Sequence, residues 1–260
     1  MLPPLLHYQK FGTGARVWLA FHGFGQDSTV FAEFVQVLPN STIYSIDLFF
    51  HGQSVWHGPL DGLTYVRWEQ LVQAFLTQHH IANFSLLGYS MGGRLALVTY
   101  MRLPTRVDEL VLVAPDGIRP NAWYRYATRV PALHGVFRYV TAENPNPFHH
   151  AMHWAKKWRL LPKTLLKVAE TQMSEPALRA RVYRTWMLYR FLEPVPAQIG
   201  HLWQKRPIPV RIYTGRDDTV VKPTDMRPLV QALPQAGHVV LPCSHSRLLR
   251  EVIGQLSSAH

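Results

Sequence analysis

Ser90 lies between glycines two residues away on either side, in Gly88-Tyr89-Ser90-Met91-Gly92-Gly93-Arg94. The apolar pair Leu86-Leu87 leads into this stretch, and a helix-prone run, Leu95-Ala96-Leu97-Val98, leaves it. Strand, sharp turn and helix in that order form the setting that presents a serine hydroxyl as a nucleophile. Such a turn strains the serine backbone, and glycines on either side let strand and helix pass closely. The hydroxyl is expected to be exposed at the C-terminal end of the strand and the N-terminus of the helix. There, unpaired N–H groups and the helix dipole favour developing negative charge. A hydroxyl attacks a carbonyl only when a base takes its proton, so a histidine and an orienting carboxylate should follow. A serine in a plain glycine-rich turn is the alternative that the short pattern alone leaves open.

The elements that would position this serine are legible as alternation. Leu5–Phe11 and Val17–Phe21 read as strands joined by Gly12-Thr13-Gly14, a hairpin signal. Phe31–Leu38 suits a short helix, Thr42–Leu48 a strand, and Tyr65–Gln78 a helix with Val66, Leu71, Val72, Phe75 and Leu76 as its apolar face. Asn83–Leu87 is the strand before the turn and Met91–Met101 the helix after it. Glu109–Ala114 is a continuous apolar run, as central parallel strands are. Alternation stops after Asp116-Gly117, and helix-like stretches such as Leu165–Met173 and Ala177–Phe191 follow. It resumes with Pro209–Tyr213 (strand), Met226–Ala232 (helix, interrupted by Pro228), His238–Leu241 (strand) and Arg247–Leu256 (helix). This is the pattern of an α/β fold with a mainly parallel sheet covered on both faces. Residues 1–117 and 207–260 are expected to form the core, and 118–206 a helical cap over the C-terminal strand ends, where ligands bind in such folds.

Composition limits the rest. A chain of 260 residues, 47% apolar and 17% charged, can bury a sizeable globular core. Its single cysteine, Cys243, excludes an internal disulfide and a cysteine-based zinc site, and suits a reducing compartment. Met1-Leu2-Pro3-Pro4-Leu5-Leu6 has neither the basic region nor the apolar run of a signal peptide, so a soluble cytoplasmic protein is expected. The net charge of +11 is concentrated: residues 118–206 hold 15 Lys+Arg against 4 Asp+Glu, and the remainder balances at 12 each. Five of the eight tryptophans fall in the same segment.

Four further segments carry a resemblance. The chain resembles the α/β-hydrolase superfamily over nearly its whole length, with the order nucleophile, acid, histidine and a helical cap after the sixth strand. Tyr213-Thr214-Gly215-Arg216-Asp217-Asp218-Thr219-Val220-Val221 is similar to the family's Gly-x-x-Asp-x-x-Val, which selects Asp218, with Asp217 as its competitor. Cys243-Ser244-His245 through Glu251 resembles Gly-His-x-x-x-x-x-Glu and selects His245, although Ser244 replaces the glycine. The competing His238 precedes Val239-Val240-Leu241 and would sit at the opposite end of the sheet. Phe21-His22-Gly23-Phe24-Gly25-Gln26 resembles the oxyanion loop, which implies N–H donors from Phe24 and Met91 and a bracing role for His22. Asp47 through Ser54 matches an architectural loop, Asp-x-x-Gly-x-Gly-x-Ser, except that Phe50 replaces its first glycine.

The resemblance implies acyl transfer on a small-molecule acyl substrate by Ser90, Asp218 and His245, without metal or organic cofactor. Ser90 in place of aspartate argues against dehalogenase or epoxide-hydrolase chemistry. The turn is also similar to that of the menaquinone-pathway synthases that form succinyl-hydroxycyclohexadiene-carboxylate, where the equivalent of Arg94 helps bind a carboxylated substrate. That implies a lyase alternative, with carbon–carbon bond hydrolases sharing the same triad; a binding protein that kept the fold is a third reading. The basic cap reads as a solvated face, as arginines for an anionic substrate, or as contact with an anionic membrane through Trp154 and Lys156-Lys157-Trp158. No nucleic-acid-binding module is present.

Overall fold

The computed structural model describes residues 6–119, 122–139, 141, 146 and 175–258. Seven strands form one sheet in the order β1-β3-β2-β4-β5-β6-β7. They are β1 (Tyr8–Phe11), β2 (Arg16–Phe21), β3 (Ser41–Ile46), β4 (Phe84–Tyr89), β5 (Val107–Val113), β6 (Val210–Gly215) and β7 (Gly237–Leu241). Only β1 runs antiparallel to its neighbour. The α/β class, the mainly parallel sheet and the helical insertion are as the sequence implies. The resemblance put the insertion after a sixth strand; five of the described strands precede it, and residues 1–5 lie outside the described ones.

Burial follows strand position. All six residues of β4 and six of the seven in β5 are buried, so these central strands need apolar side chains on both faces. At the edge, β7 buries only Leu241. Helix α1 (Tyr65–Gln78) links β3 to β4, starts at a Thr64 cap, and turns Trp68, Val72, Phe75 and Leu76 inward. Val66, expected on that apolar face, is 53% exposed. Helix α2 (Met91–Arg102) is buried from Met91 to Met101, so the serine turn leads directly into a buried helix.

Two local expectations are corrected. β1 and β2 do not form a hairpin: each pairs with β3, which lies between them. Gly14 N–H and Arg16 N–H donate to the carbonyls of Ser41 and Asn40, wrapping the turn around the start of β3. Gly12 has φ +75°, and a β-carbon at Gly14 would collide with the Asn40–Ser41 backbone. The glycines therefore serve a close backbone crossing. Pro228 does not interrupt a helix either. A 3₁₀ turn (Pro223–Met226) precedes Arg227–Ala232, and Pro228 sits in that helix's first turn, where its missing N–H costs nothing. The expected short helix near Phe31 is 3₁₀, over Ser28–Gln36.

The chain divides into two compact units, one of residues 1–58, 64–119 and 192–260, the other of 59–63 and 120–191. The helix α6 (Pro196–Lys205) belongs with the sheet, packing Gly200 onto the Ala232 carbonyl, so the second unit ends before residue 206. In the second unit, α3 (Ala122–Arg129), α4 (Pro131–Arg138) and α5 (Pro176–Tyr189) build a small core from Ala127, Phe137 and Met187. The Phe137 ring stacks on Trp186 at 5.6 Å. Arg190 anchors the 59–63 strand of chain by donating to the carbonyls of Leu60 and Asp61. The expected helix at 165–173 and the Trp154–Trp158 cluster lie outside the described residues. The remaining helices are α7 (Arg227–Ala232) and α8 (Leu248–Ser257). Among the described residues no helix is long and apolar enough to cross a membrane.

Candidate active site

Ser90 follows β4 directly and takes φ 52°, ψ −118°, a conformation that costs an L-residue energy and persists only when surroundings impose it. Those surroundings are three glycines. A β-carbon at Gly92 would collide with the Phe21 carbonyl, one at Gly88 would fall 2.6 Å from Gly93 Cα, and one at Gly93 would meet Pro115 at 2.7 Å. The turn is therefore wedged between the ends of β2 and β5. Ser90 lies at the C-terminal end of its strand, as the sequence implies, but only 9% exposed, because of that wedging. Its hydroxyl makes no hydrogen bond to a described residue, and no side chain caps α2.

Backbone bonds fix the orientation of two peptides, one after Ser90 and one in the loop after β2. The Ser90 carbonyl accepts from Arg94 N–H at 3.2 Å and Asp116 N–H at 3.1 Å. Since the peptide is planar and trans, the Met91 N–H of that same unit must point the other way. Met91 opens α2, so this N–H has no intrahelical acceptor. The loop after β2 repeats the device. The Gly23 carbonyl accepts from His22 Nδ1–H at 2.7 Å and from Gln26 N–H at 3.3 Å, which aims the Phe24 N–H away from both. His22 Nε2 accepts from Leu48 N–H at 3.0 Å, which fixes the ring as the neutral Nδ1–H tautomer. Burial lowers its pKa in the same sense. His22 thus braces this loop.

The histidine and acid come from the ends of β7 and β6. His245 Nδ1 lies 2.6 Å from Asp218 Oδ2. Asp218 is 3% exposed, and its Oδ1 accepts from the N–H groups of Val220 (2.7 Å) and Val221 (2.9 Å). With both oxygens occupied by hydrogen-bond partners, the carboxylate is held in one orientation. Asp217 instead points outward to Arg216 at 3.6 Å, with both side chains mostly exposed. His238 lies on β7 itself, bonded to Thr214 Oγ1 at 2.9 Å. Ser244 adopts φ −83°, ψ 166°, ordinary extended backbone, so no glycine is required before His245.

Tyr89 joins these parts, and its role was not foreseen from the sequence. Its ring stacks on the His245 imidazole, with centroids 5.0 Å apart and planes at 29°, and its hydroxyl donates to the His245 carbonyl at 2.8 Å. A β-carbon on Gly23 would fall 2.9 Å from the same ring. One side chain, adjacent to Ser90, therefore meets the loop that carries His245 and the loop after β2 together. Burial, helped by the Asp218 charge, raises the phenol's pKa, so it stays a donor. Only its place inside the serine motif hinted at this. Arg94 is paired edge-on with Asp116: Nε lies 2.5 Å from Oδ1, and a terminal nitrogen 2.7 Å from Oδ2. Both residues also hold the Ser90 carbonyl through their N–H groups. The Asp47 loop is architectural, its carboxylate accepting from Ser28, Gln53 and His7. Among the described residues no cluster of three His, Cys, Asp or Glu could hold a metal.

The family model for the alpha/beta hydrolase fold matches residues 19–251, and the chain belongs to that family. A putative 2-succinyl-6-hydroxy-2,4-cyclohexadiene-1-carboxylate synthase of Bacillus subtilis (strain 168) is 34% identical over 96 residues, 36% of this chain and 34% of that protein. A probable serine hydrolase of Drosophila melanogaster is 31% identical over 192 residues, 72% of this chain and 54% of that protein. The chain thus spans about a third to a half of these curated relatives. Among solved structures, a thermophilic esterase from Thermogutta terrifontis superposes with a TM-score of 0.68 at 20% identity, covering 98% of this chain and 91% of that one. At that identity the likeness is one of fold.

Proposed function

We propose that the protein is a serine hydrolase that cleaves a carboxylic ester or related acyl compound through an acyl-enzyme. The observation that carries this reading is the pairing of buried Asp218 with the part-exposed His245, whose ring stacks on the residue preceding a strained serine. Asp218 accepts a hydrogen bond from the Nδ1–H of His245, which leaves the Nε2 lone pair to take the Ser90 proton. Ser90 Oγ attacks the substrate carbonyl, and the tetrahedral oxyanion is held by the N–H groups of Phe24 and Met91. The imidazolium then returns its proton to the leaving alcohol. In the second half, His245 deprotonates water, which attacks the acyl-enzyme, and the carboxylic acid leaves as Ser90 is reprotonated. The lone buried cysteine, Cys243, fits a reducing, cytoplasmic setting.

A second reading, lyase or carbon–carbon bond cleavage on an anionic carboxylated substrate, draws on the name of the Bacillus relative. The engagement of Arg94 by Asp116 favours the ester reading, since the pair is close to neutral as a unit. Turnover of a nitrophenyl ester series beside a succinylated cyclohexadiene acid separates them. Ester hydrolysis without pyruvate elimination is expected. Elimination with every ester left intact would reverse the assignment. Failure of both, with no covalent labelling of Ser90, would favour a binding protein.

A further inference from the structure

The strained Ser90 is spanned by the end of β5. Its N–H donates to the Val113 carbonyl at 2.9 Å, and its carbonyl accepts from Asp116 N–H at 3.1 Å and Arg94 N–H at 3.2 Å. Between Val113 and Asp116 the chain turns sharply, with Ala114 at φ 42° and Gly117, just beyond, at φ 78°. A left-handed alanine costs energy and persists only where its surroundings hold it. Ala114 N–H still reaches the Tyr213 carbonyl on β6 at 2.7 Å, and the turn begins there.

Side chains tie the far side of this turn to α2. The Asp116 carboxylate accepts from Nε and from a terminal nitrogen of Arg94, at 2.5 and 2.7 Å. The arginine side chain is 11% exposed and the aspartate side chain 27%, so the bidentate pair is partly shielded from water and stronger than a surface pair. A β-carbon on Gly117 would fall 3.1 Å from both Cγ and Nε of Arg94, so the turn closes directly over the arginine stem. The same two residues therefore meet twice, through a shared backbone acceptor and through their side chains. The Arg94 N–H bond is a rung of α2 and needs no further support, whereas that of Asp116 depends on how the turn is held.

We propose that the Arg94–Asp116 pair is a clamp on the Ser90–Met91 peptide, which makes both side chains positioning residues for acyl transfer rather than ligands of a substrate anion. The inference rests on the serine-hydrolase reading. With the Ser90 carbonyl held from the Asp116 side, the planar peptide keeps the Met91 N–H pointing the opposite way, where that reading puts the oxyanion. Loosening the turn lets this N–H lose its aim, which costs more in the transition state than in the bound ester.

The test is ester kinetics beside inhibition by an aryl trifluoromethyl ketone, whose adduct with Ser90 carries the same oxyanion. Asp116→Asn keeps the shape and weakens the pair, and should lower kcat about tenfold while KM for an uncharged ester stays within about twofold. Affinity for the ketone should fall by the same factor as kcat/KM, which a loss of folded protein alone would not produce. Arg94→Gln should match Asp116→Asn, and the double variant should be no slower than either, because each change alone opens the clamp. Asp116→Glu, which keeps the charge, should recover part of the rate. Arg102→Gln, which breaks bonds of 2.8 and 2.6 Å to Glu69 further along α2, should leave kcat and ketone affinity unchanged. Three results with an active wild type would overturn the clamp and leave the hydrolase reading in place: full kcat and ketone affinity in Asp116→Asn, losses that multiply in the double variant, or an Arg94→Gln defect confined to KM for carboxylated esters. A wild type inert toward ester and ketone alike would overturn that reading and the clamp with it.

Discussion

Tyr89 offers the sharpest contrast between what one atom and one ring contribute. Tyr89→Phe removes only the hydrogen bond to the His245 carbonyl, and a bond of about 1 kcal/mol corresponds to roughly a fivefold loss in kcat/KM. Tyr89→Leu also removes the stacked ring, and a further loss is expected, in kcat more than in KM. Ester kinetics beside a thermal melt checks this, because a merely structural role would lower the melting temperature and leave kcat intact. His22 acts through the peptide it holds. His22→Ala removes one of the two donors to the Gly23 carbonyl and leaves the Leu48 N–H without its acceptor, so a loss of about 1–3 kcal/mol in stability is expected in urea unfolding. A loss in kcat of about tenfold or more should accompany it as the Phe24 N–H loses its aim. The resemblance to the family's motifs is what selects His245 over His238 and Asp218 over Asp217, and the structure pairs His245 with Asp218. Tyr89, Gln26 and Asp116 could not be read, since no spacing rule says which neighbour of a motif carries its geometry.

Elements divide by how local their causes are. α1 was legible to its ends because its period and its Thr64 cap are properties of adjacent residues. The β1–β2 connection was not, since whether a Gly-Thr-Gly turn pairs its own flanks or admits a third strand depends on β3, some thirty residues on. Phe50 shows a similar limit: its backbone takes φ 69°, the left-handed region where the family has glycine, so the loop geometry persists against the residue's preference. Two glycine substitutions separate close approach from convenience. Gly92→Ala drives a β-carbon into the Phe21 carbonyl, and should cost about 3 kcal/mol or more in stability together with the activity. Gly254→Ala in α8 meets nothing within 4 Å and should raise stability by about 0.5–1 kcal/mol. Paired denaturation curves test both.

For the molecule as a whole, imidazoles with lowered pKa values, buried His22 above all, are expected to shape the acid limb of stability. Burial lowers the pKa of His22 below the ordinary 6.5, and of His79 and His238 likewise. Above pH 6.5 folded and unfolded chains are both deprotonated there, so this contribution is fully present. Below it the unfolded chain takes up protons that the folded chain refuses, and stability falls by up to about 1.4 kcal/mol per pH unit for each such group. His22→Gln should flatten that limb in urea titrations, whatever it does at neutral pH. The concentration of positive charge in the middle of the chain was plain from composition, whereas the limits of the second unit were not: the absence of strands runs to residue 206, but packing returns to the sheet at 192. The central claim is that Ser90, His245 and Asp218 act as one proton-handling set. Fluorophosphonate labelling, read by mass spectrometry of the Ser90 peptide, tests it most directly. Wild type and Asp217→Asn should label at the same rate, Asp218→Asn and His245→Gln at least a hundredfold more slowly, and Ser90→Ala not at all. Labelling that survives intact in His245→Gln, or an adduct on another residue, would contradict the account.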